Sequence, residues 1–510
     1  MSNFIPKRSI GGCLTCKRRK KKCDERRPYC RKCEIGDFHC LGYSPPETSH
    51  AGESSSAAFF WPSHTPVGQP DGAACLQSSD PLIPLPDPQN EVEQMSLTCI
   101  PFQQARPPLS NIPRGVLLDP IAFEDVTGFI MSQYVGLSRE VLFRGFLFSL
   151  EEGIWRRISN SNITRWSMYL GARVIADLSS GTNAQRYLGW IFRFFQQITV
   201  TSTWAEPAPS LQGRLGSLYD LVCLGSTISG SATGYSLLQR STPVFVQLAA
   251  LDPKIWVDDS SISIPKVFRS SQYEVIQFVV HDTFTALTLG TPPQLQYDTA
   301  SVWVDKTPGH YMEWVYGFPV GVLILLAEIN AWRTSRMIGK VAQNQSDCRS
   351  IEDRLKSWSP IVDNTDEPSN DIVRLAVREA WRQATLIYLY LGMNEANSAD
   401  PRVERAVKQV VQLASTVTKG SSLELHFLAP SLIAGVAARQ EKHRAVLRSR
   451  VASEHSRKLN SLLLPVRGAD FIAVLDHLWH GVGSGGSPIT WNDYVKSRFT
   501  VLPLHDEPQS

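Results

Sequence analysis

The sequence predicts a mostly α-helical protein of 510 residues in three parts. A small cysteine-rich module fills residues 1–44, a disordered linker fills 45–114, and one large all-α domain fills 115–500, ahead of a tail at 501–510. Three observations carry that reading. Six of the ten cysteines fall between residues 13 and 40. Thirteen prolines crowd the 70 positions that follow Ser44. From about residue 115, apolar residues recur at steps of three and four, the period of a helix with one buried face.

In the first part, Cys13-x2-Cys16-x6-Cys23 is followed by Cys30-x2-Cys33-x6-Cys40, so each cysteine recurs 17 positions on. Clustered cysteines form disulfides or hold a metal. Disulfides belong to oxidising compartments, and Met1–Ile10 has no apolar core of the kind a secretory signal needs. A Cys-x-x-Cys turn chelates one soft cation, and Zn²⁺ takes four such ligands in a tetrahedron. Six thiolates complete two shells if two of them bridge both ions. The repeat makes Cys13 and Cys30, the first of each triplet, the symmetry-related pair for bridging. A single site of Cys13, Cys16, Cys30 and Cys33 is the competing count. It strands Cys23 and Cys40 and turns their equal offsets into coincidence. His39 reads as an ordinary surface histidine, because sulfur already fills both shells.

Charge is as localised as sulfur. Residues 1–44 hold 12 Lys or Arg against 4 Asp or Glu, residues 45–114 hold 2 against 7, and the remainder is balanced. A positive excess confined to the first tenth of the chain points to a polyanion, nucleic acid ahead of a membrane surface. Lys17-Arg18-Arg19-Lys20-Lys21-Lys22 fills the interval between Cys16 and Cys23. The plainer reading of such a run is a solvated face or a nuclear targeting signal. Held at both ends by metal ligands, it suits a docking surface better, and the two roles can coexist. No window reaches the ~18–20 apolar residues that span a bilayer. The best stretch, Trp314 to Ala327, is short and broken by Pro319, so neither a membrane protein nor a secreted one is expected.

Residues 13–40, CLTCKRRKKKCDERRPYCRKCEIGDFHC, resemble the fungal binuclear zinc-cluster (Zn2Cys6) transcription factors: all six cysteines stand at that family's spacing, and Asp24 and Pro28 fit the loop between the half-repeats. The resemblance implies two short helices around two zinc ions, held by Cys13, Cys16, Cys23, Cys30, Cys33 and Cys40. It implies that the first short helix, from about Cys16, presents its end to base edges in the major groove. The family's base contacts map to Arg19 and Lys20. Their expected target is a CGG triplet, since Lys and Arg donate well to guanine O6 and N7. Lys17, Arg18, Lys21, Lys22, Arg26, Arg27 and Lys32, with Lys7 and Arg8 in the preceding arm, are then assigned to phosphates, where they add affinity without sequence information. The implied role is regulation of RNA polymerase II genes in the nucleus, with double-stranded DNA and the transcription machinery as partners.

Proline at the density of 45–114 defeats both helix and sheet, so this acidic stretch reads as mostly disordered. Phe59-Phe60-Trp61 within it is either incidental hydrophobicity or an acidic–aromatic activation patch. No apolar heptads lie between Leu41 and Ser110, so no coiled coil is expected there. A homodimer made by the large domain and a monomer on one triplet both stay open.

The large domain shows its helices through caps and spacing. Asp400-Pro401 offers an N-cap and a first-turn proline, followed by Val403, Val407, Val410, Ala414 and Val417. Val373, Val377, Ala380, Ala384, Ile387 and Leu391 mark one face of a helix over Asp371 to Leu391. Similar spacing recurs near 120–150, 274–289, 319–333 and 458–480, while Pro243-Val244-Phe245-Val246 looks like a strand. Three phrases resemble the fungal-specific regulatory domain found with this zinc cluster: Gly317-Phe318-Pro319, Glu379-Ala380-Trp381-Arg382 leading to Ile387-Tyr388-Leu389-Tyr390, and Phe427-Leu428-Ala429-Pro430 before Ile433-Ala434-Gly435. The resemblance implies regulation or dimerisation and names no small-molecule ligand.

Little suggests catalysis. Gly481-Val482-Gly483-Ser484-Gly485-Gly486 satisfies GxGxxG but follows His477-Leu478-Trp479-His480 rather than a buried strand, so it reads as a flexible loop. His477 and His480 lie one helical turn apart with no third ligand nearby and read as helix surface. The leading expectation is therefore a zinc-dependent DNA-binding regulator and not an enzyme. The alternative, an enzyme or ligand sensor tethered by zinc, lacks a nucleophile–base or metal constellation after residue 114.

Overall fold

In the computed structural model, the described residues are 11–18, 21–26, 30–35, 120–144, 150–200, 206–299, 310–339, 345–359, 368–453 and 460–504. The linker with its Phe59-Phe60-Trp61 cluster, His39 and the last six residues lie outside them. The chain divides into two units, Met1–Val116 and Leu117–Ser510. Helix dominates the described residues of the second. Among the described residues, strand is confined to one parallel pair, Ser261–Ser263 against Gln296–Asp298, with Ile262 opposite Tyr297.

The first unit has two helices of five residues each, Leu14–Arg18 and Arg31–Ile35. Helices this short are unstable alone, because nucleation costs more than a few hydrogen bonds return. What holds them is sulfur. The buried cluster of this unit consists of Cys13, Cys16, Cys23, Cys30 and Cys33.

The second unit is held by apolar burial. Its closest helix pair is Ala208–Ser229 with Ser231–Ala250. They approach so tightly that a Cβ on Gly234 would stand 2.7 Å from that of Ser226. Pro243-Val244-Phe245-Val246 lies inside the second of these helices, with Val244 and Phe245 buried and Val246 exposed. A strand would have put 244 and 246 on one face.

A second bundle joins Pro368–Gly392, Pro401–Ala414 and Leu428–Ala437, with Val320–Met337 packed between the first of them and Tyr273–Leu289. The Asp400 carboxylate accepts Arg402 N–H at 2.8 Å, and Val403, Val407, Val410 and Ala414 are buried as their spacing requires. At the other end, buried Arg450 donates to the carbonyls of Ala414 and Val417 at 2.6 and 2.7 Å and pairs with buried Glu424 at 3.0 Å. Those carbonyls lie at and just past the helix end, where carbonyls lack intrahelical donors, although the Ala414 carbonyl also accepts the Val417 N–H at 3.4 Å.

The Trp314–Ala327 stretch is two helices, Tyr311–Tyr316 and Val320–Met337, parted by Gly317 at φ +73°. Only glycine fits there, since an added Cβ would meet the Phe143 ring at 2.7 Å. Among the described residues, no helix is long and apolar enough to cross a membrane.

Candidate metal centre

Cys13 and Cys30 each stand just before one of the two short helices. Their Sγ atoms accept the N–H of the cysteine three residues on, Cys16 at 3.3 Å and Cys33 at 3.2 Å, so the sequence repeat is also a structural one. Cys23 Sγ accepts from the N–H groups of Cys13 and Glu25, both at 3.3 Å. These bonds point the sulfurs into one pocket. The Sγ atoms of Cys13, Cys16, Cys23 and Cys30 all lie within 4.8 Å of one another. Cys13–Cys30 and Cys16–Cys30 are 3.5 Å apart, while Cys33 lies 3.7 Å from Cys13 and 3.8 Å from Cys16.

These separations select the chemistry. A disulfide needs about 2.05 Å between sulfurs, and these stand 3.5 to 3.8 Å apart. Zn–S bonds of about 2.3 Å at tetrahedral angles place sulfurs about 3.8 Å apart. Burial first, and Cys30 second, push the metal-free Cys16 thiol up to about 11. Thiols packed this closely out of water have poor solvation for their charged forms, and a divalent cation supplies the missing counter-charge. The donor set fits zinc. Five sulfurs also exceed one tetrahedral shell. Cys40 lies outside the described residues.

The described cations near these cysteines in the chain face solvent. Lys17, Lys21, Lys22, Arg26 and Lys32 have exposed side chains, and so does Arg31, which the sequence reading left unassigned. The basic run straddles a helix end. The helix begins at Leu14, two residues before the expected start, and ends at Arg18, and Lys21 and Lys22 follow outside it. Arg19, Lys20, Arg27, Lys7 and Arg8 lie outside the described residues. Asp24 accepts the N–H groups of Arg31 and Lys32 at 3.0 and 3.1 Å, and these bonds, Arg31 first, hold its carboxyl below the usual range.

The remaining motifs resolve into packing. Gly481–Gly486 is a turn after the Gly468–His480 helix and contains no strand. It is clamped rather than loose: buried Arg444 donates to Gly483 O at 2.7 Å, and Arg439 to Gly486 O at 2.8 Å. His477 and His480 are exposed on the last turn of that helix.

The three regulatory-domain phrases meet in one place. Phe318 stacks on Tyr316 at 5.5 Å and meets Trp381 edge-on at 6.2 Å, and His426 Nδ1 bonds Tyr316 O at 3.0 Å beside Phe427. The small cavity among them is lined mainly by apolar side chains, among them Phe284, Trp381, Leu428 and Leu432, with Tyr316 and His426 also on its wall.

Comparison with known proteins finds two domains. The fungal Zn(2)-Cys(6) binuclear cluster domain matches residues 11–49, and the fungal specific transcription factor domain matches residues 270–503. Pestheic acid cluster transcriptional regulator 3 of Pestalotiopsis fici is 49 % identical over 55 residues, 11 % of this chain and 9 % of that one. An aspercryptin biosynthesis cluster-specific transcription regulator of Emericella nidulans is 53 % identical over 38 residues, 8 % and 6 % of the two chains. White-opaque regulator 2 of Candida albicans is 54 % identical over 40 residues, 8 % and 9 %. The matched stretch thus spans less than a tenth of each of these relatives. No solved structure matches the chain.

Proposed function

This chain belongs to the fungal Zn2Cys6 transcription factors, and we propose that it reads CGG-type triplets in nuclear DNA through a cluster of two zinc ions. The observation that carries the proposal is the packing of Cys13, Cys16, Cys23 and Cys30 sulfurs within 4.8 Å of one another, under a surface of exposed cations. Cys33 is a fifth sulfur against that group, more than one tetrahedron can hold. Sharing Cys13 and Cys30 gives two complete shells, Cys13-Cys16-Cys23-Cys30 and Cys13-Cys30-Cys33-Cys40.

The electrostatics favour a duplex. Two Zn²⁺ and six thiolates together are only weakly negative, so the module keeps most of the +8 of residues 1–44. Lys17, Arg18, Lys21, Lys22, Arg26, Arg27 and Lys32, with Lys7 and Arg8, meet phosphates and release counterions, which makes binding fall steeply with salt. Arg19 and Lys20 follow the Leu14–Arg18 helix directly and contact guanine edges. Residues 1–44 form the DNA-binding module, 45–114 the linker, and 115–500 a regulatory domain that governs activity or pairs two chains. Its buried motifs suit packing rather than catalysis.

Two substitutions test the division of labour. Lys20→Ala is expected to relax base preference, losing about 1–3 kcal/mol of discrimination, whereas Lys22→Ala weakens all sequences about equally. Equal loss across matched and scrambled duplexes for both variants would refute the base-reading assignment.

A further inference from the structure

One side chain ties the two half-repeats together. Asp24 follows Cys23, and its carboxylate accepts the Arg31 N–H through Oδ2 at 3.0 Å and the Lys32 N–H through Oδ1 at 3.1 Å. These are the first two amides of the Arg31–Ile35 helix, and the third, of Cys33, is taken by Cys30 Sγ at 3.2 Å. Asp24 thereby satisfies two of the amides that a helix start leaves without intrahelical partners, and the Cys33 amide also reaches the Cys30 carbonyl at 3.2 Å. Asp24 comes from the first half-repeat and Cys30 from the second, so the helix is held from both sides.

The sequence repeat does not carry this carboxylate into the other half. The 17-residue offset carries Arg31 and Lys32 back onto Leu14 and Thr15, and carries Asp24 back onto Lys7. The repeat conserves the sulfur scaffold but not this carboxylate. Its placement also runs against the local electrostatics: it sits between Lys22 and Arg26, on a surface proposed to meet phosphate, where an anion weakens attraction. A geometric task accounts for it. By fixing both amides, Asp24 fixes where the Arg31 and Lys32 side chains, both exposed, leave the backbone.

We propose that Asp24 is a positioning residue for DNA binding, locking the second half-repeat against the first so that Arg31 and Lys32 bear on the phosphate backbone while the first helix approaches the bases. The inference rests on the DNA-reading function proposed above, and it adds Arg31 to the phosphate contacts.

The test uses the full-length zinc-loaded protein and a labelled CGG duplex, with affinity measured across a range of salt for wild type, Asp24→Ala and Asp24→Asn. Asp24→Ala is expected to bind about fivefold more weakly, the cost of a lost helix cap, with matched and scrambled duplexes affected alike. Its log–log salt slope becomes shallower by about one, the sign of a lost phosphate contact. Asp24→Asn keeps one of the two acceptor oxygens, its amide nitrogen being only a donor, and is expected to recover only part of that loss. Cobalt-substituted samples report the thiolate shell by their charge-transfer absorption, which stays the same in all three proteins. The inference is overturned if Asp24→Ala binds like wild type. It is equally overturned if affinity falls together with the cobalt–thiolate absorption at an unchanged salt slope, because Asp24 would then only support the fold. A wild-type protein that ignores every duplex removes the DNA-reading function itself, a result distinct from either variant outcome.

Discussion

The two units of this protein keep their backbone out of water by opposite means. In the amino-terminal unit, two five-residue helices close over five cysteines, and among the described residues the buried cluster is made of those cysteines. In the carboxy-terminal unit, long helices bury aromatic and aliphatic side chains from Phe143 to Leu504 among the described residues, and a lone thiol such as Cys223 is one more buried residue whose acidity burial suppresses. A thiol pocket without its cation has little to offer a folded chain, whereas an apolar core needs no partner. The first unit is therefore conditional on metal and the second is not.

Removing zinc gives the largest expected difference. Structural zinc contributes on the order of 10–16 kcal/mol to small thiolate domains. Exhaustive chelation should abolish DNA binding while the far-ultraviolet circular dichroism and thermal transition of the helical unit persist. Loss of both together would break the comparison.

Trp381→Ala makes the reverse experiment. Its ring is buried against Phe284 at 5.2 Å and Phe318 at 6.2 Å, so truncation should cost about 3–5 kcal/mol in denaturant unfolding. The cobalt–thiolate absorption should not change.

Acid sharpens the contrast within the helical unit. Burial pushes His281 and His426 down to about 4. The unfolded chain takes up these protons first, so the stabilisation is full above pH 6.5 and is lost as pH falls through 4. Burial pushes Asp282 the other way, up to about 7, against the Gln294 N–H and Tyr297 hydroxyl that favour its charge. Its contribution is full below pH 3.8 and is lost as pH rises through 7. Two imidazoles outweigh one carboxyl, so stability should decline on acidification from pH 6.5 to 4. Asp282→Asn should steepen that decline, as read by denaturant midpoints across the interval. Asp400→Ala is the smallest change, about 1 kcal/mol for the cap of the Pro401–Ala414 helix, visible as a modest shift of the thermal midpoint.

Local chemistry was legible in the sequence, and tertiary partnership was not. Cysteine spacing announces a metal pocket because two ligands three positions apart on a turn can reach one ion. Asp400-Pro401 announces a helix start because capping reaches only two residues ahead. Asp24 carries no such signal: its partners are seven and eight residues away, and only the folded loop brings them to it. Pro243-Val244-Phe245-Val246 has strand-forming residues, yet packing of Val244 and Phe245 into the core settles it as helix. The glycine-rich turn at 481–486 reads as loose until Arg439 and Arg444 arrive from another helix boundary to hold its carbonyls. The phrases around Phe318, Trp381 and Phe427 lie far apart in sequence, and their common purpose is visible only once they pack together.

The most direct test is selection of duplexes from a random pool by the full-length protein, zinc-loaded and chelated in parallel. Zinc-dependent enrichment of CGG triplets is the expected result. Paired triplets at a fixed spacing would mark two chains acting together, and a single triplet one chain acting alone. Equal recovery of all sequences with zinc present, or enrichment that survives chelation, would contradict a zinc-organised reader of DNA.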